Sequence, residues 1–331
     1  MSMMTLEQRI RKAEADLFDG IGAEVDESFL DLANTRARVR VLSHGSGPPL
    51  ILLHGVSVSA AVWAPVFTAL PGWRVLAVDL PGHGLSDPDN YRSGHVRQRA
   101  RELIDDVFDA LGLDEAPVVG HSLGGMFALW YAAAGTERIS RLVMIGEPAV
   151  ALPAVRVRMP LSLLTVRGVG LAVLRSPTPR PVYRRLLAQG LGRAEVAAAP
   201  DSLIDALRLS ARRPGNARTV ASLMHAINHF RRPRPESVLT IPELRAIAVP
   251  TIFIWGADAP YLTAERARPS IDQIAGATLH EVPGGHGPWL VDTKRSAELI
   301  QTHLTTVSAP PYGRRRAQLA RGAVGDSFSV R

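Results

Sequence analysis

Apolar residues recur along this chain in two alternating rhythms. Short apolar runs sit at residues 50–53, 74–79, 116–120, 141–145, 250–255 and 278–282, and each is the length of a buried strand. Segments with helical spacing separate them. Residues 95–111, for example, place Val96, Leu103, Ile104, Val107 and Leu111 on one face. Residues 36–42 alternate basic and apolar side chains, as a half-exposed early strand should. This β–α alternation predicts an α/β fold with a mostly parallel central sheet and helices on both faces. Ahead of it, residues 4–19 form a mixed-charge helical pattern with Leu6, Ile10, Ala13 and Leu17 on one side. Such an extension is expected either to cap the sheet or to support a homo-oligomer.

The alternation stops at residue 149 and resumes at 246. Between these points lie helix-like segments rich in Leu, Ala and Arg, punctuated by Pro153, Pro160, Pro177, Pro179, Pro181, Pro200 and Pro214. The chain therefore divides into an N-terminal extension (1–35), a core in two pieces (36–148 and 247–307), a helical insertion (149–246) and a basic C-terminal tail (308–331). The tail carries Arg314, Arg315 and Arg316 among small polar residues and is expected to be loosely held. Apolar candidates for the inner face of the insertion are Met159, Leu163, Leu164, Tyr183, Leu187, Leu223, Met224, Ile227 and Phe230. Most of them are expected to fill the insertion's own core.

Composition narrows the chemistry. With 331 residues the chain can bury one large core and an insertion. It has no cysteine, which excludes disulfides and thiolate chemistry. No His/Asp/Glu cluster has metal-site spacing, and no cofactor is expected. His225 and His229 lie four residues apart but lack a carboxylate on the same face, so they read as surface or core residues. The net charge is +7, and Lys12 and Lys294 are the only lysines. The arginines are dispersed and no recognition motif accompanies them, so no nucleic-acid partner is expected. The first residues have no apolar run after a basic head, and no stretch is long enough to span a bilayer. A cytoplasmic protein acting on a small molecule is the resulting expectation.

The most informative segment is Gly120-His121-Ser122-Leu123-Gly124-Gly125, a G-x-S-x-G sequence that ends an apolar β-branched run and opens a helix. A serine at the apex of so sharp a turn needs neighbours without bulk, which the glycines supply. Its hydroxyl then sits at a helix N-terminus, where developing negative charge is stabilised. A tetrahedral oxyanion needs two preorganised N–H donors. Leu123 N–H, directly after the serine, is one candidate. Val56 N–H, in the loop after the strand at 50–53, is the other, with Gly55 letting the backbone turn inward. His286 lies in the glycine-rich loop after the last strand, where an imidazole can reach a distant serine as general base and then acid. His83, in the loop after residues 74–79, is expected to make structural hydrogen bonds.

Together, His54-Gly55, the run from Asp79 to Ser86, the serine elbow, Trp255-Gly256 and Gly285-His286-Gly287-Pro288 resemble the α/β-hydrolase fold superfamily, in its serine-nucleophile, carboxylesterase- and lipase-like branch. The resemblance spans residues 36–305. It implies that residues 149–246 form a cap over Ser122 and that a carboxylate completes a triad with Ser122 and His286. The usual position for that acid, four residues after Trp255, is Ala259, so two candidates stand open. Asp258 is one residue early in the same loop. Glu147 follows the strand at 141–145, where other branches, including many haloalkane dehalogenases, carry the acid. The resemblance implies hydrolysis of an ester, thioester or lactone through an acyl-serine. Alternatives are a C–C hydrolase, a perhydrolase or cyclase on the same scaffold, or a ligand-binding protein.

Overall fold

A computed structural model describes residues 4–157, 159 and 161–306. The basic C-terminal tail therefore lies outside the described residues. Eight strands form one sheet: β1 (Asp26–Asp31), β2 (Arg38–His44), β3 (Pro49–Leu53), β4 (Arg74–Val78), β5 (Ala116–His121), β6 (Ile139–Ile145), β7 (Thr251–Gly256) and β8 (Thr278–Val282). Their spatial order is β1-β2-β4-β3-β5-β6-β7-β8. β1 pairs with β2, and β2 with β4, in antiparallel fashion; every other pair is parallel.

Successive residues of the central strands serve opposite faces. Ile51, Leu53, Val118, Leu142, Met144, Phe253 and Trp255 join one apolar core. Leu50, Leu52, Val119, Val143, Ile145, Ile252 and Ile254 join the other. The runs look uniformly hydrophobic because both faces of a parallel sheet are covered. The first face receives α3 (Val96–Ala110), α4 (Ser122–Ala133) and α11 (Ala264–Ile271). The second receives α1 (Leu6–Gly20), the short α2 (Ala64–Phe67) and α12 (Thr293–Thr305). α4 has no polar stripe, and eleven of its twelve residues are buried. That suits a helix enclosed on all sides behind the serine.

Residues 26–31, assigned by sequence to the N-terminal extension, are the edge strand β1. The segment Asp-Glu-Ser-Phe-Leu-Asp is mostly exposed and shows no alternation, so its pairing with β2 left no apolar signature. The extension is tied to the core by charge as well. Arg40 on β2 is fully buried and binds Glu14 of α1 through two 2.7 Å hydrogen bonds. Its Nε donates to Asp79 at 2.7 Å. Asp79 in turn accepts from Ala60 N–H (2.7 Å) and Leu85 N–H (2.9 Å), which fixes the loop after β4.

Between β6 and β7 the chain forms the inserted helical region: α5 (Val169–Arg175), α6 (Arg180–Gly190), α7 (Arg193–Ala198), α8 (Asp201–Ser210) and α9 (Asn216–Ile227), followed by α10 (Ile241–Ala246). Part of it is fastened to the core. Ile10 and Ala13 of α1 share a cluster with Ala206 and Leu209 of α8. Arg213 donates to Ser86 O at 2.8 Å and pairs with Glu7 at 3.1 Å. No helix among the described residues is long and apolar enough to cross a membrane.

Candidate active site

β5 ends at His121 and α4 starts at Ser122 with no residue between them. Ser122 takes φ +48°, a left-handed conformation that costs a non-glycine residue roughly 1–3 kcal/mol. Close backbone approach holds it there. Gly124 N–H donates to His54 O at 3.0 Å, which draws the end of β3 onto the elbow. A Cβ on Gly55 would lie 2.7 Å from His121 Nδ1 and 3.0 Å from the Ser122 Cβ, so only glycine fits. The loop carrying Val56 is thereby pressed against the serine. Leu123 N–H belongs to the first turn of α4, where backbone donors lack intrahelical partners. Val56, Ser122, Leu123 and His286 line a single cavity.

His54 locks this loop in turn. Its Nδ1 donates to Gly55 O at 2.7 Å, and its Nε2 accepts Leu80 N–H at 3.0 Å. Burial lowers its pKa despite the nearby Asp79 carboxylate, so the ring stays neutral. His83 is likewise structural, with Nδ1 donating to Pro81 O at 3.1 Å, and it also borders the cavity. Burial, reinforced by His54, pushes its pKa down to about 3.

The two carboxylate candidates stand in opposite environments. Glu147 is fully buried and its Oε2 accepts the His286 Nδ1 hydrogen bond. Its Oε1 accepts Tyr261 N–H at 3.0 Å. Burial alone would raise its pKa. The His286 charge and hydrogen bond, with the Tyr261 N–H, outweigh burial and hold the carboxyl below its ordinary value. Asp258 has an exposed side chain and meets the histidine loop only through its backbone, whose N–H donates to Gly284 O at 2.8 Å. Of the two positions left open by sequence, the structure brings Glu147 to His286 and leaves Asp258 in solvent. The turn explains the reach. Gly146 adopts φ +69° and touches His286 O so closely that a Cβ could not be accommodated. The next residue is thus delivered beneath the imidazole.

Sequence reasoning missed the residues that hold His286 from its other sides. His121 Nε2 meets His286 O at 3.1 Å, and burial, aided by the His286 charge, lowers the His121 pKa well below its ordinary value. The Tyr261 ring stands edge-on to His286, with centroids 5.0 Å apart, while its hydroxyl donates to Gly190 O at 3.1 Å. Two contacts come from the inserted region. His286 N–H donates to Leu191 O at 2.8 Å, and Gly285 N–H donates to the buried carboxylate of Glu195 on α7. Beneath, Trp289 stacks on Trp63 at 4.6 Å and meets His121 edge-on at 4.7 Å. Each such aromatic pair adds about 0.5–1.5 kcal/mol beyond burial. The only signal for Glu195 in the sequence is a lone acid in a basic, apolar segment, which carries no direction.

The cavity has a volume of about 310 Å³ and is walled mainly by apolar side chains. Leu163, Leu164, Tyr183, Leu187, Leu223, Met224 and Ile227 line it as well. Met159 and Phe230, also placed on the inner face by sequence, are instead 54% and 47% exposed. Each lies in a non-helical turn, where helical periodicity assigns no face. His225 meets Thr165 O at 3.1 Å. Among the described residues no group of three or more His, Asp or Glu could hold a metal ion.

Comparison with known proteins agrees with this architecture. Residues 48–293 match the family model of the alpha/beta hydrolase fold. An uncharacterised protein of Mycobacterium tuberculosis, Rv2715, is 26% identical over 288 residues, covering 84% of this chain and 82% of its own. A 2-hydroxy-6-oxononadienedioate/2-hydroxy-6-oxononatrienedioate hydrolase of Burkholderia vietnamiensis is 29% identical over 265 residues, covering 77% and 86%. The crystal structure of the carboxylesterase CesB from Bacillus subtilis superposes with a TM-score of 0.72 at 22% identity, covering 91% of this chain and 98% of that one. At that identity the likeness is one of fold.

Proposed function

The chain belongs to the alpha/beta hydrolase fold family, and from that premise we propose that it is a serine hydrolase that cleaves a largely apolar ester, thioester or lactone. One observation carries the reading: a buried Glu147–His286 pair opens on the same apolar cavity as the strained Ser122. In this scheme Ser122 Oγ attacks the substrate carbonyl while His286 Nε2 takes its proton. Glu147 holds the Nδ1–H tautomer and stabilises the imidazolium that forms. Val56 and Leu123 N–H groups receive the oxyanion. The proton on His286 then passes to the departing alcohol or thiol. Water, deprotonated by the same imidazole, releases the acyl group and restores the serine. Trp289, His121 and the insertion exclude solvent, so these charges form in a low-dielectric site.

A fluorophosphonate probe tests the reading directly. Mass spectrometry should place the label on Ser122 alone, and Ser122→Ala should abolish both labelling and ester turnover. An unlabelled protein, or turnover that survives Ser122→Ala, rules out an obligatory acyl-serine. A second reading is hydrolysis of a 2-hydroxy-6-oxo-dienedioate, supported by the Burkholderia vietnamiensis relative. A doubly anionic substrate needs unpaired cations facing it. The cavity wall is mainly apolar; of the three arginines on it, Arg208 is engaged by Asp205 at 3.3 Å, while Arg156 and Arg212 are exposed and form no ion pair among the described residues, so free cations stand only at its solvent-exposed positions. Uncharged esters fit that wall better.

A further inference from the structure

The cavity has an apolar, basic mouth. Val173 of α5 and Leu186 of α6 line the cavity and are also 43% and 42% exposed, so both helices border its opening. The apolar surface continues outward. Val169 precedes Val173 by one helical turn, Val182 precedes Leu186 by one turn, and both are exposed, as is Val166 beside α5. Nearby in the fold, the Phe230 carbonyl accepts from the Thr165 hydroxyl at 3.0 Å, and the Phe230 side chain is exposed as well. Exposed large side chains clustered around an opening differ from the scattered ones every protein carries.

Positive charge predominates around the patch. From residue 148 to residue 194 the sequence contains eight arginines and neither Asp nor Glu. Arg167, Arg175, Arg185 and Arg193 are exposed, and among the described residues none of them pairs with a carboxylate. Arg180 and Arg184 are engaged by Asp201. An exposed apolar surface whose arginine rim is answered by acids only at Arg180 and Arg184 matches the charge and polarity of the headgroup–acyl boundary of an anionic lipid layer. An acidic protein would complement the arginines, but it gives no reason for apolar side chains to continue from the cavity wall onto the outer surface.

We propose that the α5–α6 face docks on anionic lipid surfaces and that an apolar substrate passes from the acyl layer through this mouth to Ser122. The second half of this proposal rests on the serine-hydrolase reading; the first half does not. Docking brings an insoluble ester to the site without crossing water.

Two measurements test it on the full chain. Co-sedimentation with phosphatidylcholine vesicles, with and without phosphatidylglycerol, reads docking. Turnover of a short water-soluble ester reads the catalytic site. The protein should bind phosphatidylglycerol vesicles at low salt and release at high salt. Val169→Asp/Val182→Asp, at positions that do not line the cavity, should weaken binding about tenfold and leave soluble-ester turnover unchanged. Arg167→Gln/Arg175→Gln/Arg185→Gln, a purely exposed set, should weaken it by a similar factor. Failure of the unmodified protein to bind, including the case in which only an acidic protein binds this face, overturns the proposal. Binding that neither set of changes weakens overturns it too, because another surface is then responsible. Vesicle binding with no soluble-ester turnover leaves docking supported and refutes the hydrolase reading instead.

Discussion

Replacing Glu147 with glutamine removes one formal charge and almost no volume, and the surroundings set the cost. The carboxylate receives two donors, His286 Nδ1–H and Tyr261 N–H, one on each oxygen. A carboxamide has one acceptor oxygen and a donor nitrogen. If the amide oxygen faces His286, its NH₂ opposes the Tyr261 N–H. If the amide is turned round, the NH₂ faces Nδ1 and drives the imidazole into the tautomer that carries its proton on Nε2. That tautomer cannot accept the Ser122 proton. Glu147 is fully buried, so water cannot repair either arrangement. We expect Glu147→Gln to lower kcat by roughly 10³–10⁴, about 4–5.5 kcal/mol of transition-state stabilisation. Asp258→Asn should stay within a few-fold of the parent, because that side chain is in solvent. The assay is turnover of an activated aryl ester with the fluorophosphonate labelling rate in parallel, on protein whose melting curve shows it is folded. A folded Glu147→Gln protein within a few-fold of the parent, or an equal loss in Asp258→Asn, refutes the argument.

Glu195→Ala leaves the buried Gly285 N–H unpaired, which should cost about 1–3 kcal/mol of stability and lower kcat by loosening the histidine loop. Glu195→Gln keeps an acceptor and should recover most of both, read by thermal melts beside steady-state kinetics. Gly146→Ala must hold φ near +69° with its Cβ against His286 O, and we expect a destabilisation of roughly 2–3 kcal/mol with loss of turnover; a parent-like melting temperature contradicts the packing described. Acid should unfold the protein early. His54, His83 and His121 are kept neutral chiefly by burial, and their folded pKa values lie below 6.5. The unfolded chain binds these protons first, so stability is full above pH 6.5 and falls as pH decreases. His83 alone contributes about 1.4 kcal/mol per pH unit down to its folded value. Denaturant unfolding at stepped pH checks this, and a flat profile between pH 6.5 and 5 contradicts it.

The strands that alternate with helices were readable because most of their residues are buried, so hydrophobic spacing reports them directly. The serine elbow was readable for a related reason. A left-handed Ser122 demands glycines at fixed offsets, and Gly120, Gly124 and Gly125 stand at those offsets. His286 could be assigned from its glycine loop after the last strand. β1 escaped notice because an edge strand held by backbone pairing and by Arg40 needs no apolar alternation. Met159 and Phe230 were misplaced because periodicity assigns faces only inside helices.

The partner of His286 was beyond the reach of sequence alone. Asp258 and Glu147 follow neighbouring strands, and one-residue differences in two loops decide which carboxylate points under the imidazole. Those differences are set by the Gly146 turn against the histidine backbone, more than a hundred residues away along the chain. The same holds for Glu195, Leu191 and Tyr261, which converge on the histidine loop from separate elements. Local patterns encode how each segment bends and which face it buries. Which side chains meet across the cavity depends on how the sheet and the insertion close over one another.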